Sequence, residues 1–214
     1  MHFSLVSSNE LFLTTTNNNG HSLIVEAHSA AAQSAQILKY LLLAEVVKRS
    51  LNDVRLDLWG EYDFLEDIEF ATIVLPALLE RRAQWRVLDL RRSRLSLFSI
   101  RAFSTCVPLV FGGKGCTLVE LCLGSLSLGD DGVRLLASSL PQTTLEALNL
   151  FDNSISDAGA VYLSQALPLT MSLKALNLNN NDISDVGASH LVKAATKGRS
   201  SIQKLHLNMN AITD

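Results

Sequence analysis

The chain of 214 residues is poor in several things at once: four prolines, three cysteines, 6% aromatic residues and a formal net charge of only −3. Each scarcity excludes something. With so little net charge and 48% hydrophobic residues, the chain is not of the polar, self-repelling kind that stays disordered. The near-balanced charge gives no overall attraction to nucleic acid or to an anionic membrane. The cysteines, Cys106, Cys116 and Cys122, are odd in number and fit neither a CxxC pair nor a zinc framework, so reduced thiols are expected. No Asn-x-Ser/Thr sequon occurs. The opening MHFSLVSSNELFLTTTNNNG lacks a basic stretch, carries Glu10 within its apolar run, and the first Lys or Arg is Lys39, which argues against a signal peptide or a mitochondrial presequence. The longest helical apolar run, Ile37 to Val47, is about half a membrane span and contains Lys39 and Glu45. A cytoplasmic protein without a membrane span is the expectation.

What is abundant is leucine, at forty residues, and the leucines recur. LVELCLGSLSLGDDGVRLLASSL starts at Leu118, LEALNLFDNSISDAGAVYLSQAL at Leu145, LKALNLNNNDISDVGASHLVKAA at Leu173 and IQKLHLNMNAITD at Ile202. Weaker copies are WRVLDLRRSRLSL from Trp85 and DVRLDLWGE from Asp53. The first core leucine of each copy, Leu56, Leu88, Leu121, Leu148, Leu176 and Leu205, is separated from the next by 32, 33, 27, 28 and 29 residues. Pro76, Pro108, Pro141 and Pro168 show spacings of 32, 33 and 27, so the irregular early copies are repeats with insertions. The prolines read as helix terminators at one repeat position.

Within a copy, Leu148-Asn149-Leu150 and Leu176-Asn177-Leu178 alternate as a half-buried strand does. Asn153, Asn181 and Asn210 recur in the turn after it, where an amide can both donate to and accept from loop backbone, predicting a structural asparagine ladder. Ser156-Asp157 and Ser184-Asp185 supply capping oxygens, and Gly159 and Gly187 permit close approach at the helix start.

The pattern LxxLxLxxN, followed by a small or apolar residue, a glycine and a helix, resembles the leucine-rich repeat family, in its longer-period class typified by ribonuclease inhibitor. The resemblance implies an α/β solenoid: a curved parallel sheet with helices on the convex side and, usually, protein binding through the concave face. The domain reading is an N-terminal cap over 1-50 and about six repeats over 51-214, the last incomplete. In the cap, Ala31, Ala35, Leu38, Leu42 and Val46 share one face of a predicted helix spanning 29–50. Leu11-Phe12-Leu13 and Leu23-Ile24-Val25, flanking Asn19-Gly20, read as a hairpin, with an early degenerate repeat as the rival. Because the sequence stops at Asp214, where earlier copies begin a helix, the last strand is expected to be covered by further chain or by a partner.

No catalytic or cofactor site emerges. Val107 to Thr117 superficially resembles a strand entering a phosphate loop, but its glycine spacing is wrong, and a surface loop is expected. His2, His21, His28, His190 and His206 lack neighbours that would make a triad or metal site. Cys122 reads as an ordinary accessible thiol.

The concave rows are the candidate site. One reads Asp57, Asp89, Cys122, Asn149, Asn177 and His206, the next Trp59, Arg91, Gly124, Phe151, Asn179 and Asn208. Exposed aromatics and arginines are favoured interface anchors, so Trp59, Arg91, Arg92 and Phe151, with Asn149, Asn177, Asn179 and His206, are the candidate protein-binding residues. For Trp59, packing on neighbouring side chains is an equal alternative, and for Phe151 it is the lesser one. Seven arginines lie between Arg81 and Arg101, and Arg86, Arg91, Arg92 and Arg94 cluster about one strand. Acidic neighbours on the preceding repeat would neutralise them, or an acidic protein would meet them; nucleic acid is the least favoured partner. The function expected is a non-enzymatic interaction module or scaffold without a cofactor. Alternatives are a structural subunit of a large cytoskeletal or ribonucleoprotein assembly and a GTPase-activating-protein-like regulator; for the latter no matching arginine or acidic tail is apparent.

Overall fold

The computed structural model describes residues 2–7, 10–16, 22–23, 41, 43–44, 47–48, 55–58, 65–79, 85–111, 118–196 and 200–213. They fall into two units, Met1–Val46 and Val47–Asp214.

In the first unit, β1 (His2–Ser7), β2 (Glu10–Thr16) and β3 (Ser22–Leu23) form an antiparallel sheet in that order. The β2–β3 register pairs Thr15 with Leu23 and Thr16 with Ser22, across the segment that contains the Asn19-Gly20 turn signal. β1, which pairs Leu5 with Leu11, has no counterpart in the hairpin expected from sequence. Leu41, Leu43 and Ala44 are helical, as are Val47 and Lys48 beyond the unit boundary. The apolar face built from Ala31, Ala35, Leu38, Leu42 and Val46 lies outside the described residues.

The second unit is an α/β solenoid. Its strands, β4 (Arg55–Asp57), β5 (Val87–Asp89), β6 (Glu120–Cys122), β7 (Ala147–Asn149), β8 (Ala175–Asn177) and β9 (Lys204–His206), are all parallel and stand in sequence order. Leu56, Leu88, Leu121, Leu148, Leu176 and Leu205 are paired across the whole sheet. The intervals between core leucines are therefore the sheet register itself. Helical segments return the chain between strands: α1 (Asp67–Glu69, a π turn Phe70–Val74, and Leu75–Leu79), α2 (Leu97–Phe111), α3 (Gly129–Ser139), α4 (Asp157–Ala166) and α5 (Asp185–Thr196). Neighbours from α2 to α5 pack side by side.

The core lies between sheet and helices. Leu88, Leu90, Leu123, Leu150, Leu176 and Leu178 are fully buried there, with Val133, Leu163 and Leu191 among the helical contributions. Burying one such side chain contributes about 2 kcal/mol. Where early repeats lack regularity, large residues fill the space: Trp85, Phe70 and Phe103 are the largest fully buried side chains, and the two phenylalanines meet edge to face at 5.8 Å.

The prolines divide. Pro141 and Pro168 open 3-10 turns, Leu140–Gln142 and Leu167–Leu169, that finish α3 and α4. Pro76 and Pro108 do not terminate helices; they lie within Leu75–Leu79 and Leu97–Phe111. Proline inside a helix removes one backbone donor, and the π turn directly before Pro76 is the local adjustment seen there. The helix Leu97–Phe111 also takes up Val107 to Phe111, which sequence reading placed in a surface loop.

Candidate functional site

The face of the sheet opposite the helices carries the side chains that alternate with the core leucines. Asp89 is not an exposed member of that row: it is fully buried and holds two arginines. Arg91 donates to it twice from Nε, at 2.9 and 3.1 Å, and once from an Nη at 2.6 Å, while Arg55 from the neighbouring strand donates at 2.7 Å. Asp89 Oδ1 also accepts the Arg91 backbone N–H at 3.2 Å. Asp89, at the end of β5, thus neutralises Arg91 of its own repeat together with Arg55 of the preceding one. Both guanidinium groups remain partly exposed, at 44% for the Arg55 side chain and 31% for Arg91. Arg91 lies over Gly124, where a Cβ would come within 3.4 Å of its Cγ and Cδ.

Cys122, next in the row, is buried rather than accessible. Burial, then the negative charges of Asp89 and Glu120, push its thiol up to about 12. It donates weakly to Glu120 at 3.5 Å. Such a group is a packed thiol and not a nucleophile at neutral pH.

Asn149 and Asn177 continue the row, and each uses its Oδ1 to accept the backbone N–H two residues on, from Phe151 and Asn179, at 3.0 Å. That is the same i to i+2 closure Asp89 makes, so all three carry a turn-shaping role that sequence reading missed. Asn179 accepts from the Asn208 backbone at 2.8 Å. Phe151 is half-buried and His206 exposed. Trp59 lies outside the described residues. Arg92, Arg86 and Arg94 are exposed.

One position later in each turn the backbone is left-handed: Arg92, Ser125, Asp152, Asn180 and Met209 have φ between 55 and 60°. Asp152 accepts from the Ser125 hydroxyl at 2.8 Å and from the Asn180 amide at 2.9 Å. Aspartate and asparagine tolerate this conformation, whereas arginine rarely adopts it. Arg92 is therefore held outward at some conformational cost.

Behind the open face run two rows of inter-repeat bonds. Asn153 accepts from the Leu126 and Leu128 backbone and donates to Leu123 O. Asn181 accepts from Asn153 N and Ile155 N and donates to Leu150 O and Leu178 O. Asn210 accepts from Ile183 N and donates to Leu178 O and Leu207 O. Each amide thus serves the loop of the preceding repeat. In the second row, aspartates reach forward. Asp130 accepts from Ser156 N, the Ser156 hydroxyl and Gly159 N. Asp157 does the same with Ser184 and Gly187, and Asp185 with Thr213. Ser156 and Ser184 cap their own helices, but the aspartate after each serves the next repeat. The Ser184 hydroxyl and amide hold Asp157 below the ordinary carboxylate range, and Thr213 does so for Asp185.

A family profile described as "Leucine Rich repeat" matches residues 142–164 and 171–192, which contain β7 with α4 and β8 with α5. The chain carries leucine-rich repeats. The match covers the two most regular copies, and the sheet register extends the same unit through β4, β5, β6 and β9. Comparison with curated proteins returns no match. Leucine-rich repeats are in general protein-interaction modules and typically not enzymes. Among the described residues no three histidine, cysteine or acidic side chains group as a metal site, and no helix is long and apolar enough to cross a membrane.

Proposed function

We propose that the chain is a non-enzymatic interaction module that binds another protein through the concave face of its repeats. The observation that carries this reading is the uneven chemistry of the open sheet face. Its early half holds Arg55 and Arg91 on the buried Asp89 carboxylate and carries an exposed Arg92 one residue on, while its later half presents amides and His206. Arginines desolvated on binding are strong interface anchors, and an acidic partner surface complements partly exposed guanidinium groups. Arg92 supports the reading further, since a left-handed repeat position that elsewhere takes serine, aspartate, asparagine or methionine is given to an exposed arginine. Arg91, Arg92, Phe151 and Trp59 are the proposed anchors, with Asn149, Asn177, Asn179 and His206 as polar contacts; Asn149 and Asn177 keep only their amide N–H groups for a partner. A cytoplasmic location without cofactor or membrane is part of the same proposal.

Crosslinking of the tagged chain to its cellular partners, read residue by residue, tests it. Crosslinks should map to the concave rows and vanish in an Arg92→Glu, Phe151→Ser double variant. Capture unchanged in that variant, with Trp59→Ala and Arg91→Ala added, would sink the site assignment.

A further inference from the structure

The helical face carries a feature that the concave reading does not use. Nine residues after each core leucine, three repeats place the aspartates that reach into the next repeat, Asp130, Asp157 and Asp185. In α2 this position is Leu97, and the residue it would serve in the next repeat is Gly129 instead of serine or threonine. Leu97 lies beside Gly132, its Cδ2 3.5 Å from where a Cβ would stand, yet it is 47% exposed. The following residue, Phe98, is 73% exposed, where the other repeats have Asp131, Ala158 and Val186.

These two side chains, with Leu135 from α3, form the apolar floor of a groove of about 310 Å³ whose remaining lining is Arg101, Arg134 and Asp131. The charge of the groove is net positive. Asp131 meets Arg134 at 3.4 Å, with both side chains well exposed, so that pair is weak in water. Among the described residues no carboxylate pairs with Arg101. An apolar floor that takes a large side chain, bordered by two arginines able to receive carboxylates in forked geometry, complements one kind of occupant.

We infer that the groove between α2 and α3 docks a short acidic and aromatic segment of a partner protein. The apolar side chain sits against Leu97, Phe98 and Leu135, and flanking carboxylates meet Arg101 and Arg134. This surface is on the opposite side of the sheet from the concave rows and does not depend on them.

The probe is a fluorescein-labelled peptide, GSFDELGS, titrated against the full chain at low ionic strength and followed by fluorescence anisotropy. The isosteric neutral peptide GSFNQLGS is the control. Saturable binding is expected, weakened roughly tenfold or more by Phe98→Ser, by Arg101→Glu and by the change to the neutral peptide, and unchanged by Arg92→Glu on the other face. Phe98 and Arg101 are exposed, so both variants keep the fold, and circular dichroism checks it. The inference is overturned by absence of saturable binding, by binding insensitive to Phe98→Ser, or by equal affinity for the neutral peptide. Concentration-dependent self-association that disappears with Phe98→Ser, in place of peptide binding, would likewise overturn it in favour of a second copy of the chain.

Discussion

The repeats around β7 to β9 and those around β4 to β6 use the same strand register but are held together differently. In the later group, asparagine amides and aspartate carboxylates satisfy the backbone of adjacent repeats in two continuous rows. In the earlier group the asparagine position is Ser93 or Leu126, the aspartate position of α2 is Leu97, and the loop after β5 closes on itself through Ser93 N to Leu90 O at 3.3 Å. Cohesion there comes from large apolar side chains, from the Asp89 cluster and from a single aspartate staple, Asp67 accepting from Ser96 N at 2.8 Å. Where side chains are released from stapling neighbouring repeats, distinctive surface chemistry appears, Arg91 and Arg92 on one face and Phe98 on the other. Polar ladders restrict a position to one residue type, and their interruption frees it for recognition.

The comparison can be broken most decisively at Asn181. Its side chain makes five bonds, four of them with buried backbone. Asn181→Leu should destabilise the chain by about 3 kcal/mol, read as a lower urea midpoint, because several buried groups lose partners at once. Ser93→Ala, at the equivalent early position, should cost less than about 1 kcal/mol. Equal losses would show that the two groups are not held differently.

Next in size is the charged cluster. Arg91→Ala removes the forked partner of a buried carboxylate while Arg55 remains, which should cost about 2 kcal/mol in the same measurement. Removing the buried carboxylate with Asp89→Asn in that background should recover part of the loss, as a double-mutant cycle will show.

A smaller, kinetic contrast concerns Cys122. Because its thiol is buried and pushed up to about 12, alkylation by iodoacetamide at pH 8 should require unfolding, with a rate that rises with urea. Rapid labelling of native Cys122 would mean that the early sheet face opens locally.

The smallest effect is electrostatic. Asp157 is held below its ordinary value of 3.8 by hydrogen bonds to Ser184. Its contribution to stability is therefore present above about that pH and is lost as pH falls through its lowered folded value. Ser184→Ala should raise the Asp157 titration midpoint in carboxyl-resolved NMR and flatten the acid limb of stability. An unchanged midpoint would remove the inter-repeat bond as its cause.

Much of the fold was legible because the leucine spacing and the strand register are one quantity: in a solenoid, each repeat pairs only with its neighbours. The recurrence of Asn153, Asn181 and Asn210 likewise marked the place in the loop where an amide bonds to backbone. The site was less legible. The alternation that assigns Asp89 and Cys122 to the open face says nothing of how deeply their neighbours cover them, and both are buried. Pro76 and Pro108 kept the repeat spacing but not the helix-ending role, since both lie inside helical segments.

The sequence by itself determined the repeat length, the inner rail of leucines and the register of six strands, since these follow from local periodicity. Only the tertiary structure decided which polar residues face inward to staple repeats and which stay available outside. That outcome depends on contacts between residues some 25 to 35 positions apart, such as Asp89 with Arg55 and Asp157 with Ser184, and a pattern within one repeat carries no distance between repeats.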